Sequence, residues 1–94
     1  MELTLPYDSS TENCILGAVI RNPKEYDSVS KYLSNDEVFY QDNARLLWRK
    51  LKRMIRANEK VDIVTVGSSL NDKEVKKGLT AHYVSICYSD APGL

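Results

Sequence analysis

The sequence predicts an all-α fold, a compact bundle of about six short helices around one long amphipathic helix. Between Asp42 and Asn58, apolar residues recur every three or four positions, which places them on one side of a helix with ~3.6 residues per turn. Residues that cap helix N-termini precede most of the other apolar segments. A chain of 94 residues, 43% of them apolar, can bury one modest core. We therefore expect a single domain, 1–94, without room for a separate catalytic domain.

The long helix is predicted to start at Asp42, whose carboxylate would cap it, and to end at Asn58, which tolerates the left-handed conformation of helix ends. Its apolar side is expected to form the wall of the core. That side comprises Ala44, Leu47, Trp48, Leu51, Met54 and Ile55.

The opposite side of this helix is basic. Arg45, Arg49, Lys52 and Arg56 follow one another at helical spacing, with Lys50 and Arg53 beside them, and no acid lies between Asn43 and Asn58. One interpretation is an ordinary solvated surface. The other is a docking face for an acidic protein surface or for phosphates, because like charges without interspersed acids repel one another, and because an apolar residue, Leu46, falls among the arginines as in an interface core and rim. The candidate binding residues are Arg45, Leu46, Arg49, Lys52, Arg53 and Arg56.

Two capping signals come early in the chain, after an extended lead-in over residues 1–8. Ser9 and Glu12 have the spacing of a capping box and predict a helix to about Ile20. Gly17 in its interior favours close approach of another helix. Asn22 and Pro23 predict the start of a second helix, with an apolar stripe of Tyr26, Val29, Tyr32 and Leu33.

The remaining segments are short. Ser34 and Glu37 predict a turn that leads to Phe39 and Tyr40. Residues 61–66 have the β-branched composition of a strand, but no second strand is available to pair with them, so we expect a short helix capped by Asp62.

The chain is predicted to finish with two more capped elements. Asn71 or Asp72 opens a turn that ends near Gly78, and Thr80 caps a last helix. The inward residues of that helix would be Tyr83, Val84, Cys87 and Tyr88. Residues 89–94, SDAPGL, have the composition of the start of a linker.

The residues needed for catalysis are sparse, and we expect neither enzymatic activity nor a metal site in this chain. His82 is the sole histidine, so a catalytic triad or a multi-histidine metal site is not available. The four glycines lie far apart and form no phosphate-binding loop. No catalytic residue is therefore assigned.

The charge distribution and the hydropathy limit the expected cellular location of the protein and its expected partners. The net charge is zero, yet residues 43–60 hold seven bases against one acid, whereas residues 1–42 hold three bases against eight acids. No apolar run approaches the ~20 residues that cross a bilayer, and no signal peptide begins the chain. We expect a cytoplasmic protein without membrane contact, in which Cys14 and Cys87 are buried thiols.

The order of these motifs resembles a known family. An E-x-x-[IVL]-L-G-[AG] helix is present as residues 12–18, an acidic-aromatic turn as residues 35–40, and a [VI]-D-[LI]-[VI]-T-[VL] segment as residues 61–66. A helix with a tyrosine and the tail Ser89-Asp90-Ala91-Pro92 follows. This pattern resembles the N-terminal domain of replicative DNA helicases of the DnaB type, in a phage-like or divergent version. One glycine of the family's G-G-x-x-Y-L motif is missing, since residues 77–84 read KGLTAHYV.

The resemblance implies a scaffold role. Such domains form a collar on the helicase ring, help its subunits assemble and receive primase or a helicase loader. The family's helical hairpin and RecA-like ATPase domain do not occur in these 94 residues, so the chain looks like the globular head of a longer protein. ATP, Mg²⁺ and DNA would then be bound by the full-length parent. Two alternatives stay open: a nucleic-acid-binding module using the basic face of helix 42–57, and a free-standing mimic that blocks helicase partners.

Overall fold

The computed structural model describes residues 9–32 and 39–91, with side chains at all of these positions except 9, 10 and 32. Every regular element in these ranges is a helix, which confirms the all-α prediction. No helix in this part of the chain is both long and apolar enough to span a membrane. The helices are α1 (Ser9–Arg21), α2 (Glu25–Tyr32), α3 (Asp42–Arg56), α4 (Ile63–Ser68), α5 (Asp72–Lys76) and α6 (Ala81–Asp90).

The long helix α3 forms the core wall, as predicted. Trp48 is 3% exposed, and its ring lies 5.0 Å from that of Tyr26 on α2 and 5.5 Å from that of Phe39. Asn58 ends the helix with a φ of 58°, and the Glu59 N–H bonds the Met54 carbonyl across the end. The last carbonyls of α3 are thereby satisfied within the turn.

The start of α3 differs from the prediction. Asp42 is the first helical residue and pairs with Arg45, while Gln41 occupies the capping position without a side-chain cap. Glu12 on α1 satisfies this end instead. Its buried carboxylate accepts hydrogen bonds from the Tyr40 N–H at 2.6 Å and the Gln41 N–H at 3.4 Å.

Ser9 is the first residue of α1, and the predicted Ser9–Glu12 capping box depends on the Ser9 side chain, which lies outside the described part. A carboxylate from another helix takes over because the negative charge is favourable next to the unsatisfied N–H groups at a helix N-terminus. The contact also ties α1 to α3.

Helices α1 and α6 pack against each other more extensively than any other pair. A Cβ placed on Gly17 would lie 1.9 Å from the Cys87 carbonyl oxygen, so only glycine permits this approach. This confirms the interpretation of Gly17.

A polar cluster crosses the same α1–α6 interface. Asn13 accepts hydrogen bonds from the Tyr83 hydroxyl at 3.0 Å and from the Cys87 thiol at 3.7 Å. Burial raises the pKa of Tyr83 and raises the pKa of the Cys87 thiol to about 12, which keeps both groups neutral.

The capping predictions for the second half hold. Asp62 and Asn71 each form a reciprocal capping box, with Thr65 and Glu74, and Thr80 accepts from the Tyr83 N–H. Residues 61–66 are thus not a strand. Because these caps connect residues three apart, sequence alone specifies them.

Other predictions need correction or fall outside the described ranges. Helix α2 begins at Glu25, after a turn in which the Asn22 carbonyl accepts the Glu25 N–H. Helix α6 continues through Ser89 and Asp90, and Ala91 is buried, so the predicted linker does not begin at residue 89. The expectations for residues 1–8, 33–38 and 92–94, and for the Tyr32 side chain, lie outside the described part.

The two cysteines are free thiols in different environments. Cys87 is buried, as predicted, whereas Cys14 is only partly buried. The Cys14 thiol donates to the Asp90 carbonyl at 3.0 Å, near the end of α6 where the interface meets solvent.

Candidate docking surface

The outward side of α3 presents a cationic face, as the spacing of its residues predicts. Arg49, Arg53 and Arg56 are exposed, and Arg45 and Lys52 are partly exposed. Within the described ranges, Arg53 and Arg56 have no ion-pair partner. The absence of acids along this stretch of α3 leaves the positive charge of the two arginines uncompensated by their own helix.

Lys50 is the exception among the basic residues. It is 3% exposed, and its Nζ lies 3.1 Å from the Ser69 carbonyl oxygen and 3.0 Å from Glu74 Oε1. The prediction that Lys50 flanks the outer face is therefore wrong. At ~100° per residue it sits only about 40° from buried Met54, and the α4–α5 segment covers this flank.

Leu46 lies on the boundary between the core and the cationic face. It is partly buried and packs against the core, rather than standing fully outward as predicted. It also lines a hollow of about 280 Å³ together with Asp42, Arg45, Arg49 and Lys77. Leu46 is thus the one apolar residue in a lining that is otherwise made of charged residues.

Lys77 is the residue that the sequence reasoning missed. It lies just after α5 and is far along the chain from the α3 residues that it joins. A larger adjacent hollow shares Lys77 and Arg45 and includes Tyr40, whose side chain is 65% exposed. No local pattern reports this contact, because it depends on how α5 packs beside the start of α3.

The other end of the cationic face carries a separate depression of about 410 Å³. Four of its five lining residues are basic, and the lining consists of Arg49, Lys52, Arg53, Arg56 and Ala57. Arg49 lies between the two hollows and connects them into one surface. All six predicted residues therefore belong to a continuous region of α3, with Lys77 added from the turn after α5.

The described ranges contain no comparable arrangement of side chains for catalysis. They contain no group of three or more His, Cys, Asp or Glu residues that could hold a metal ion. His82 is exposed at the start of α6.

The fold and the surface define the class of protein, which is a small helical domain with an uninterrupted cationic face on α3. The family of DnaB-like helicase N-terminal domains matches residues 4–92. The chain belongs to this family, which confirms the resemblance seen in the motifs. The match is to the N-terminal domain of DnaB, which lacks the ATPase domain.

Individual relatives are distant. The chain is 25% identical over 68 residues to the replicative DNA helicase DnaB of Buchnera aphidicola subsp. Schizaphis graminum, covering 72% of this chain and 14% of that protein. It is 24% identical over 72 residues to the DnaB of Pasteurella multocida, covering 77% of this chain and 15% of that protein. The chain thus spans about one seventh of the length of these relatives. No solved structure matches it.

Proposed function

We propose that this domain is a non-catalytic interaction module of a replicative DNA helicase, which supports ring assembly and docks primase or a helicase loader through the cationic face of α3. The exposed pair Arg53 and Arg56, without acids around them on α3, is the observation that carries this proposal. Complementary charge accelerates encounter and selects acidic partners. We expect the module to act in the cytoplasm.

The character of the surface favours a protein partner over a nucleic acid. The whole chain has no net charge, whereas nucleic-acid modules usually carry a clear basic excess. Leu46 adds an apolar contact among the cations, and protein interfaces combine an apolar core with a polar rim. In this proposal ATP and Mg²⁺ are bound by the ATPase domain of the parent helicase, as is the DNA.

The direct experiment is a binding titration of primase and of loader against the Arg53→Glu/Arg56→Glu variant. We expect affinity for the cognate partner to fall at least about tenfold, equivalent to ~1.4 kcal/mol. The matched control is Lys24→Glu/Lys31→Glu, which makes the same change in net charge around α2. Because Tyr26 of α2 packs on the inward side of α3, this control lies away from the cationic face.

Equal affinities for wild type and both variants would refute the role of the face. Equal losses in both variants would show that only net charge matters and that this surface is not special. Far-ultraviolet circular dichroism of each variant verifies that the helices persist.

The runner-up function is direct binding of nucleic acid by Arg45, Arg49, Lys52, Arg53 and Arg56. The four basic residues that line the depression along the second half of α3 favour it. Phosphate binding would weaken with a log–log salt slope of about −0.9 per phosphate contact on duplex DNA. Titration with duplex DNA at two salt concentrations decides the matter, because no binding at low salt removes this candidate.

A further inference from the structure

The depression at the end of α3 has no acidic residue in its lining. It has a volume of about 410 Å³ and is lined by Arg49, Lys52, Arg53, Arg56 and Ala57. The two hollows near the start of the same helix differ, because both include Asp42, which pairs with Arg45. A negatively charged group that approaches the end of α3 therefore meets no carboxylate of the lining.

The uncompensated charge of this depression belongs to Arg53 and Arg56. Arg49 and Lys52 already interact with other groups of the chain. Arg53 and Arg56 are exposed in the last turn of α3, and among the residues that the structure describes neither has an ion-pair partner. Both guanidinium groups can therefore bind carboxylates from outside the domain, and each such pair can form two parallel hydrogen bonds.

Ala57 leaves room for another chain beside the two arginines. It follows α3 directly, is exposed and carries only a methyl group. Its N–H donates to the Arg53 and Ile55 carbonyls, so the backbone that presents this small side chain is held at the helix end. The volume of the depression lies within the ~300–1,000 Å³ of clefts that hold ligand groups.

The surroundings of the depression favour a helix as the element that binds there. An extended peptide typically binds by adding a strand to a sheet edge, and the described ranges contain no strand. A polyproline segment needs a groove lined by aromatic rings, and no aromatic residue lines this depression. A helix satisfies its own backbone hydrogen bonds, so it can bind through side chains alone.

We propose that the last turn of α3 binds an acidic helix of the partner protein. Arg53 and Arg56 are three positions apart, and residues three or four apart on a helix have Cβ atoms ~5–6 Å apart. Two acids one turn apart on the partner helix have the same separation, so each carboxylate meets one arginine while the partner helix lies beside Ala57. This inference rests on the proposed docking function and identifies the kind of segment that the cationic face selects.

The test uses three fluorescein-labelled, alanine-rich synthetic peptides with the same number of glutamates. In the first peptide the glutamates alternate at spacings of four and three, which places them on one side of a helix. In the second they are distributed around the helix, and the third repeats the first with a central proline that breaks the helix. Circular dichroism verifies that the first two peptides are equally helical.

Binding is measured by fluorescence anisotropy with the full chain at low salt. We expect the first peptide to bind at least about fivefold more tightly than either of the others, the scale of two exposed ion pairs. If either of the other peptides binds as tightly as the first, or if the first does not bind, the proposal is overturned.

Variants of the chain test the two arginines and Ala57. Arg53→Gln/Arg56→Gln should remove the preference for the first peptide, because the spacing of the acids no longer has matching cations. The same loss of charge around α2, in Lys24→Gln/Lys31→Gln, should keep the preference. Ala57→Leu fills the depression without a change in charge and should weaken the first peptide about fivefold, whereas Ala57→Ser, which adds little volume, should stay within about twofold.

The contrary results separate the acidic helix from the docking function. If the three peptides bind alike while Arg53→Glu/Arg56→Glu still weakens primase or loader, the acidic helix is wrong and the docking function stands. Failure of that arginine pair to weaken either partner overturns the docking function itself. A duplex DNA that binds more tightly than the first peptide, and competes with it, overturns a protein helix as the occupant. Unchanged binding by Ala57→Leu overturns the location beside Ala57, and unchanged Trp48 fluorescence verifies the fold of each variant.

Discussion

Helices α5 and α6 have similar N-terminal caps, but they are attached to the rest of the domain in different ways. Helix α6 buries Tyr83, Val84 and Cys87 against the domain, at the place where Gly17 allows α1 to approach. Helix α5 buries no residue and is joined to α3 through the Lys50–Glu74 pair. The comparison separates a packed side, formed by α1, α6 and the inward face of α3, from a cationic side, formed by α5 and the outward face of α3.

This difference teaches where stability and recognition reside. Burial of apolar surface is the dominant favourable contribution to folding, so the packed side carries most of the stability. The cationic side contributes mainly charges exposed to solvent, which stabilise little. Changes on the two sides should therefore separate stability from binding.

The largest loss of stability is expected from Trp48→Ala on the packed side. Removing the buried ring should lower the free energy of unfolding by about 3–5 kcal/mol, because the contacts with Tyr26 and Phe39 are lost and a cavity remains. Urea denaturation followed by circular dichroism measures it. Val75→Ala on α5 is the contrasting change, and a comparable loss there would contradict the division into two sides.

A smaller loss is expected from Gly17→Ala. Its new methyl group would clash with the Cys87 carbonyl, and overpacking of this kind costs about 1–3 kcal/mol, partly offset by the better helix propensity of alanine. The matched control is Gly67→Ala in α4, where a Cβ has open space and the change should be neutral or slightly stabilising. If both variants unfold at the same urea concentration, the close approach of α1 and α6 does not exist in solution.

The helices were predictable because their signals are local. Asp62, Asn71 and Thr80 each cap through a residue three positions later, and the apolar period of α3 is visible in one stretch of sequence. Two of the errors, at the start of α3 and at Lys50, involve distant partners. Glu12 bonds residues 28 and 29 positions away, and Lys50 contacts a residue 19 positions away.

The candidate site shows the same limit. The basic residues of α3 follow from helical spacing, whereas Lys77 joins them only through the packing of α5. Leu46 and Lys50 both lie near the edge of the apolar stripe of α3. Lys50 is buried because the α4–α5 segment covers its flank, whereas Leu46 is only partly buried. Helical periodicity identifies such border positions without telling which neighbour covers them.

A modest, pH-dependent effect is expected at Asp62. The Thr65 backbone N–H bonds its carboxylate and lowers its pKa from the ordinary value of 3.8. A depressed pKa in the folded state means that the ionised form stabilises the fold above pH 3.8, and that this contribution is lost as the pH falls through the folded-state pKa. The difference in unfolding free energy between wild type and Asp62→Ala should hold at neutral pH and narrow in acid.

Asp62→Asn supplies the control for that titration, because its side chain can cap without ionising. The difference between Asp62→Asn and Asp62→Ala should not change with pH. If the difference in unfolding free energy between wild type and Asp62→Ala also stays constant down to pH values well below 3.8, the carboxylate does not interact with the start of α4.

The smallest effect on stability is expected from Arg53→Glu/Arg56→Glu. Because neither side chain has an ion-pair partner in the described ranges, the change in unfolding free energy should stay within about 0.5 kcal/mol. Thermal denaturation measures it. A loss of several kcal/mol would place these arginines in the fold rather than on a recognition surface.

The most direct measurement is covalent labelling of arginine side chains with phenylglyoxal, read by mass spectrometry, in the chain alone and in complex with its primase or loader. We predict that Arg53 and Arg56 are labelled in the free chain and protected in the complex. Arg21, exposed on α1 and placed 4.1 Å from the Tyr88 ring centroid, should react equally in both samples. Unchanged labelling of Arg53 and Arg56 in a complex that protects Arg21 would contradict the assignment of the cationic face as the docking surface.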